Sequence, residues 1–295
     1  MASDFSIGRP EMRGAKFTTK RQAHNIEMLV LYIILVLLAL LYIVPFLWLV
    51  SGSLKSGAEL FEVPTRWIPR VFEWDNYKRA VTEFPFLLFL RNTMILVVTN
   101  IVGAVASNTL IAYGFSRIEW KYREPLFIVI LATMILPFQV VMIPLFILFQ
   151  HMHWNGTFLP LFVPAFFGNP FFIFLLRQFF LGIPKELSYS AKVDGANEFL
   201  IYLRIILPLA KPVVTTVVIF AFLRTWSDFT GPLIFLSNNK LYTLSLGAQQ
   251  IMAAYDPKWN LLLALGVTMT FPVLVLFFVL QKYFIQGIAL SGIKG

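Results

Sequence analysis

The apolar residues of this chain come in long blocks rather than in the short stripes of a water-soluble domain. A bilayer core about 30 Å thick takes about 20 apolar residues per helix. Residues 28–50, MLVLYIILVLLALLYIVPFLWLV, hold no charge over 23 positions and form the clearest span. The basic residues before them, Arg9, Arg13, Lys16, Lys20 and Arg21, imitate the start of a signal peptide. A signal's apolar stretch runs only about 7–15 residues, so the block reads as a retained first helix. A second span, 92–115, is speckled with Asn92, Thr99, Asn100, Ser107, Asn108 and Thr109. The third, 125–150, is broken by Pro137 and Pro144, and the fourth, 158–181, contains Pro160, Pro164 and a Gly168-Asn169-Pro170 interruption. The fifth covers 205–226 and the sixth 260–284, with Pro272 inside it. Proline and glycine in a span free backbone groups that neighbouring helices or a water-lined cavity must satisfy. Helices three, four and six are therefore expected to pack inside a bundle. The pattern predicts an all-α, polytopic membrane protein with six transmembrane helices. Its parts are an N-terminal tail at 1–27, a single transmembrane domain at 28–290 and a C-terminal tail at 291–295.

Composition agrees with the pattern. Of 295 residues, 58% are hydrophobic, 16% aromatic and only 13% charged, where a soluble domain has about 45–50% apolar and about 25% charged residues. There is no cysteine, which excludes a disulfide scaffold, a thiolate nucleophile and a Cys-ligated zinc or iron–sulfur site. A net charge of +9 in a membrane protein reflects basic cytoplasmic loops, so no nucleic-acid partner is expected. With the N-terminus inside, the inner segments hold the five basic residues of the tail with Arg117, Lys121, Arg123, Arg177, Lys185, Lys192, Arg204, Lys211, Lys282 and Lys294. The outer segments hold Lys55, Arg66, Arg70, Lys78, Arg79, Arg91, Arg224, Lys240 and Lys258. Fifteen against nine places both termini in the cytoplasm. Trp67, Trp74, Trp120, Trp154, Trp226 and Trp259 fall near helix ends, as interfacial aromatics do.

The middles of the six spans contain no Asp, Glu, Lys, Arg or His. An ion-coupled carrier normally keeps ionisable groups there, and Arg91, Arg177, Arg224 and Lys282 stand near ends where long side chains snorkel to water. The chain has no phosphate-binding G-x-x-x-x-G-K-[ST] loop, no G-x-S-x-G elbow and no H-E-x-x-H helix. His151 and His153 alone make a poor metal site. No cofactor is expected on this chain, and the motive force is expected to come from another subunit.

The most organised polar segment is the inner loop IPKELSYSAKVDGANEFLIYLRIILPLAKP, residues 183–212. Pro184 suits a first helical turn, Leu187, Ala191 and Val193 follow helical spacing, and Gly195 is a natural helix stop. Phe199, Tyr202, Ile205 and Ile206 begin a second amphipathic stretch before Pro208. A helix, a glycine turn and a second helix can be a docking knob or a plain connector.

That segment resembles the EAA loop of ABC-importer permeases, whose pattern is E-A-A, three residues, Gly, nine residues, then I-x-L-P. Tyr189-Ser190-Ala191 takes the E-A-A place, Gly195 follows at the right interval, and Ile205, Leu207 and Pro208 come after nine more residues. Asp194-Gly195-Ala196 is similar to the D-G-A of the sugar-uptake branch. SGSLKS, PTRWIP, ILPFQVVMIPLF, FLLRQFF, GPLIFL and the C-terminal QKYFIQGIALSGIKG resemble the six-helix, maltose-type permease of carbohydrate uptake, from about residue 28 to 295. The resemblance implies a coupling helix after Pro184 that seats in a separate ATPase. It places Glu186, Tyr189, Ser190, Ala191, Asp194, Gly195, Ile205, Leu207 and Pro208 at that coupling site. Tyr189 stands where the family usually has glutamate, and Glu186 is the nearest acid that could substitute. The resemblance also implies a second homologous permease subunit, two ATP-binding subunits that hold ATP and magnesium, and an extracytoplasmic solute-binding protein. The carbohydrate would cross a bacterial or archaeal cytoplasmic membrane by alternating access, through subunits whose outer faces meet membrane lipid. The segment 228–258 would form a re-entrant scoop facing the binding protein. Candidate pathway residues are Asn92, Asn100, Asn108, Gln139, Thr215, Thr216, Trp226 and Asp228, whose amides, hydroxyls and indole suit sugar hydroxyls; ordinary interhelical hydrogen bonding is the alternative for each. A permease for glycerol phosphate or another polar solute, and an ion-coupled carrier, are the rival readings.

Overall fold

The computed structural model describes the backbone of residues 14–253 and 257–292, with side chains over 24–253 and 257–281. Arg9, Arg13 and Lys294 lie outside the described residues, as do the side chains of Lys16, Lys20, Arg21 and Lys282. Among the described residues every element is helical. Helix α1 (Gly14–Ser53) extends the first apolar block at both ends. Helices α2 (Gly57–Leu60) and α3 (Asp75–Thr82) occupy the following loop, and α4 (Phe86–Ser116) is the second apolar helix. Helices α5 (Arg123–Ala132) and α6 (Phe138–His151) come next. Then α7 (Leu159–Phe162), a 3-10 stretch Val163–Phe167 and α8 (Pro170–Gly182) cover the fourth block. The 183–212 loop contains α9 (Glu186–Val193), α10 (Glu198–Ile201), a π-helical stretch Tyr202–Ile206 and α11 (Leu207–Leu209). Finally come α12 (Lys211–Trp226), α13 (Thr230–Phe235), α14 (Leu244–Met252) and α15 (Trp259–Gly292).

Four helical stretches are long and apolar enough to cross a membrane: His24–Ser53, Phe86–Ser116, Leu159–Gly182 and Trp259–Gln281. The other two expected spans are bent. Arg123–Ile135 and Phe138–His151 meet at 100°, and Glu198–Leu209 meets Lys211–Trp226 at 80°. The first bend has a local cause. Leu136, the residue before Pro137, is extended (φ −76°, ψ 113°), because a following proline disfavours the α region, and Pro137 then opens α6. The second bend shows that residues 205–210 belong to the loop's own helix rather than to the fifth span. Pro212 sits in the first turn of α12, where its missing N–H costs nothing.

Two cores lie one above the other. At the end that holds the 183–212 loop, Tyr113 of α4, Leu176 and Phe180 of α8, Ile201, Ile206 and Val217 of α12 are buried together. At the far end, Ala80, Phe89, Val97, Trp226, Leu244 and Leu265 form the second core. Helix α4 packs against both α8 and α12 and is the common wall. The expected burial of the third span fails within this chain. Phe127 is the buried residue of α5 and Phe149 that of α6, and most other positions there are exposed. Once the helix is broken at Pro137, its two halves cannot lie along one straight groove.

Two further expectations change. Arg177 does not snorkel. It is buried, its Nε donates to the Phe115 carbonyl at 2.9 Å, and its guanidinium pairs with Glu124 at 2.6 Å over the Phe127 ring. Trp226 does not face outward; it is buried, stacked on Phe222, and donates to the Met269 carbonyl at 3.1 Å.

The far end is closed by polar ties. Asn76 donates to the carbonyls of Ser53 (3.0 Å) and Lys55 (2.8 Å) and accepts from Asn260 at 2.8 Å, joining α1, α3 and α15. Glu83 accepts from Lys258 at 2.6 Å and from Arg79 at 2.7 Å. These two hydrogen bonds hold its carboxyl below the usual carboxylate range. A depressed folded pKa stabilises above the unfolded value and is lost as pH falls through the folded one. The difference in thermal midpoint between the native chain and Glu83→Gln is therefore expected to be small, to be present at neutral pH, and to vanish on acidification. A difference that grows on acidification would contradict the pairing.

Candidate functional site

The loop 183–212 is built by a helix stop that only the backbone geometry of glycine allows cheaply. Gly195 adopts φ +85°, its N–H donates to Lys192 O at 3.0 Å, and the N–H of Ala196 reaches back to Ala191 O at 2.9 Å. This pair is the Schellman closure. Asn197 then caps α10, its side chain accepting the Leu200 N–H at 2.8 Å. Glu186, Tyr189, Ser190, Asp194 and Gly195 are exposed along α9 and the turn, while Ala191, Ile205 and Leu207 are half-buried and Pro208 is exposed. Leu187, Tyr189, Val193 and Phe199 stand in the open beyond the apolar helices, Val193 at 88% exposure. An apolar face there is unfavourable in water and calls for a partner.

The same loop is tied down on its other side by residues that the EAA pattern does not include, Tyr113 and Glu198 among them. Arg117 donates at 2.6 Å to the carbonyls of Phe180 and Ile183, capping the end of α8. Burial pushes its guanidinium pKa down, and nearby Tyr113, Glu186 and Tyr189 oppose that. Glu198 accepts from the Tyr113 hydroxyl at 2.6 Å and pairs with Lys192 at 2.5 Å. Burial raises the Glu198 pKa, but these two hydrogen bonds outweigh it and leave the carboxyl below its ordinary range. The Tyr202 hydroxyl meets Thr109 at 2.7 Å.

A cavity of about 510 Å³ opens between α4, α6, the broken 159–182 helix and the α12–α13 junction. Asn100, Asn108 and Asp228 of the candidate pathway residues line it, together with Arg224, Thr225 and rings such as Phe138 and Phe149. The remaining candidates stand off it. Asn92 is buried and donates at 2.9 Å to the carbonyls of Lys240 and Tyr242, which pins the segment before α14. Thr215 and Thr216 return their hydroxyls to carbonyls four residues back, at 2.8 and 3.1 Å. Gln139 is exposed at the start of α6, and Trp226 belongs to the far core. Asp228 accepts the Gly231 N–H at 3.0 Å, and burial raises its carboxyl pKa.

The asparagines on the cavity wall have a second duty. The Gly168-Asn169-Pro170 break frees backbone groups, and α4 answers them. Asn100 donates to Leu161 O at 3.0 Å, Ser107 to Ala165 O at 2.9 Å, and the Asn108 side-chain oxygen accepts the Asn169 N–H at 2.6 Å. The polar speckle of one helix is thus the complement of the prolines in another. Among the described residues no three His, Asp or Glu side chains gather as a metal ion would require.

Relatives place this architecture. The chain is 32% identical over 274 residues to the arabinooligosaccharides transport system permease protein AraQ of Bacillus subtilis (strain 168), covering 92% of this chain and 97% of that one. It is 29% identical to the lactose transport system permease protein LacG of Rhizobium radiobacter, over 90% and 96% of the two chains. Its fold matches a chain in the crystal structure of a bacterial ABC transporter involved in the import of the acidic polysaccharide alginate, with a TM-score of 0.78, 22% identity, and coverage of 89% and 98%. Residues 108–290 match the family model of the binding-protein-dependent transport system inner membrane component. With its long apolar helices and this match over more than half its length, the chain belongs to that family of multi-pass inner-membrane permease components.

Proposed function

We propose that this chain is the membrane-spanning subunit of an ATP-driven importer for a sugar or oligosaccharide. The bent pair 123–151 serves as one span and α12 as another, which makes six with the four long apolar stretches, with both termini in the cytoplasm of a bacterial or archaeal cell. The observation that supports the reading best is the exposed α9–Gly195 knob, whose residues fall on the EAA pattern. Its open apolar face would seat in an ATP-binding subunit, two of which would serve this chain and a second, homologous permease. ATP binding would draw the knobs together, turn the cavity outward and accept solute from an extracytoplasmic binding protein. ATP and magnesium would stay on the ATPase subunits, and this chain would perform no bond chemistry.

The cavity wall supports a carbohydrate. The side-chain oxygen of Asn100 and the hydroxyl of Thr225 offer hydrogen bonds, while Phe138, Phe149 and Phe235 offer apolar faces. The relatives named for arabinooligosaccharides and lactose favour the same class. The test is co-purification followed by uptake. An untagged ATP-binding subunit is expected to accompany the tagged chain from detergent. Proteoliposomes holding the assembled complex are expected to accumulate a neutral oligosaccharide, presented on the cognate binding protein, only with internal ATP. Uptake that runs on an ion gradient without ATP would refute the proposal.

A further inference from the structure

Helix α4 carries two rows of side chains that address different parts of the molecule. Leu96, Asn100, Ala104 and Asn108, four residues apart, line the cavity. Thr109, Tyr113 and Arg117, again four apart, make the hydrogen bonds to the 183–212 loop and its entrance. The rows meet at Asn108 and Thr109 within one unbroken helix. From Asn100 to Tyr113 that helix is a rod about 20 Å long, at 1.5 Å per residue.

Glu198 is where the loop's two limbs join this rod. One carboxylate oxygen takes Lys192, in the last turn of α9; the other takes the Tyr113 hydroxyl. Tyr113 is buried at 3% exposure, and its ring meets that of Tyr202 edge-on at 5.3 Å, so it has little freedom to yield. By contrast the Gly195 turn is exposed, and a Cβ there would touch nothing within 4 Å. The turn itself transmits little. Charge-assisted hydrogen bonds to a held side chain are the stiffer link.

We propose that Glu198 and Tyr113 are positioning residues that gear the loop to α4, so that displacement of α9 turns or tilts the row of side chains on the cavity wall. This rests on the reading of the loop as the ATPase-coupled element. Neither residue touches the solute or the nucleotide in this scheme; each acts through the helix that carries Asn100 and Asn108.

The chain has no cysteine, so Thr225→Cys on the cavity wall gives it a single thiol. In the assembled importer, reconstituted in proteoliposomes, the rate of reaction with a membrane-impermeant maleimide is measured without nucleotide and with ATP plus orthovanadate. Nucleotide is expected to change that rate in the Thr225→Cys parent. Adding Glu198→Gln or Tyr113→Phe is expected to shrink the nucleotide response about fivefold or more, with the ATPase still bound and still hydrolysing ATP. The double variant is expected to lose no more than the larger single loss, because the two changes break successive links of one path: Tyr113→Phe removes the hydroxyl that ties Glu198 to α4, and Glu198→Gln removes the charge that ties Lys192 to it. A full response in both single variants overturns the gear and leaves the coupling reading intact. Additive losses, or loss of the bound ATPase, also overturn it, since they report general destabilisation. No nucleotide response in the parent overturns the coupling reading and the gear together.

Discussion

Replacing Asn108 by leucine is expected to lower the stability of the solubilised protein by about 1–3 kcal/mol, the cost of a buried polar group left unpaired. Asn108 is 0% exposed, and its side-chain oxygen is the acceptor for the Asn169 N–H at 2.6 Å. Leucine removes that acceptor and strands the N–H beside the Gly168-Asn169-Pro170 break, where no helical partner exists. Gly168 compounds the effect. It holds φ +95° with Ile111 2.8 Å from where a Cβ would sit, so the break has no room to relax toward α4. Asn100→Leu is the control. Asn100 only donates, to the carbonyls of Leu96 and Leu161, and a carbonyl with a second lone pair tolerates the loss better than an N–H does. Thermal unfolding followed by size-exclusion chromatography should show the larger drop for Asn108→Leu. Equal losses would contradict the acceptor argument.

Gly195→Val is expected to cut ATP-driven uptake about tenfold while the chain stays at its normal level in the membrane. The reason is conformation rather than space. A Cβ at Gly195 meets nothing within 4 Å, but φ is +85°. Forcing an ordinary residue into the left-handed region costs roughly 1–2 kcal/mol, which is about tenfold in the population of the closed turn. Gly195→Asn, which tolerates that region, is expected to keep much of the uptake. Asp194→Lys separates folding from docking. Asp194 is exposed at the C-cap of α9, where a cation favours the helix, so a loss of uptake there reports on the surface presented to the ATPase. Uptake of the cognate solute, normalised to membrane levels by immunoblot, checks all three. Normal uptake by both Gly195→Val and Asp194→Lys would remove the loop from the coupling path.

Much of the architecture is readable along the chain because a bilayer imposes a one-dimensional rule. A helix must satisfy its own backbone and hide about 20 residues in hydrocarbon. The apolar blocks therefore lie on helices α1, α4, α8, α12 and α15, close to where hydropathy sets them, and Gly195 ends α9 because φ +85° suits glycine best. The EAA spacing is equally local, since it is a matter of turns counted along one loop.

Other features depend on distance in space. The elbow at Pro137 and the bend before Pro212 are seen as proline positions in the sequence, but their angles, 100° and 80°, appear only in the folded chain. Along the chain Arg177 reads as a snorkelling end residue because its partners, Glu124 and the Phe115 carbonyl, lie more than 50 positions away. The candidate pathway amides divide for the same reason. Asn92 turns to Lys240 and Tyr242, whereas Asn100 and Asn108 turn to the broken helix and the cavity. Hydropathy and local turn chemistry are properties of neighbours in the chain, so the sequence alone determines the membrane class, the long apolar helices and the glycine stop of α9. Which polar groups pair, which line the cavity and which join loop to wall depends on contacts between residues far apart in sequence, and only the packed bundle decides them.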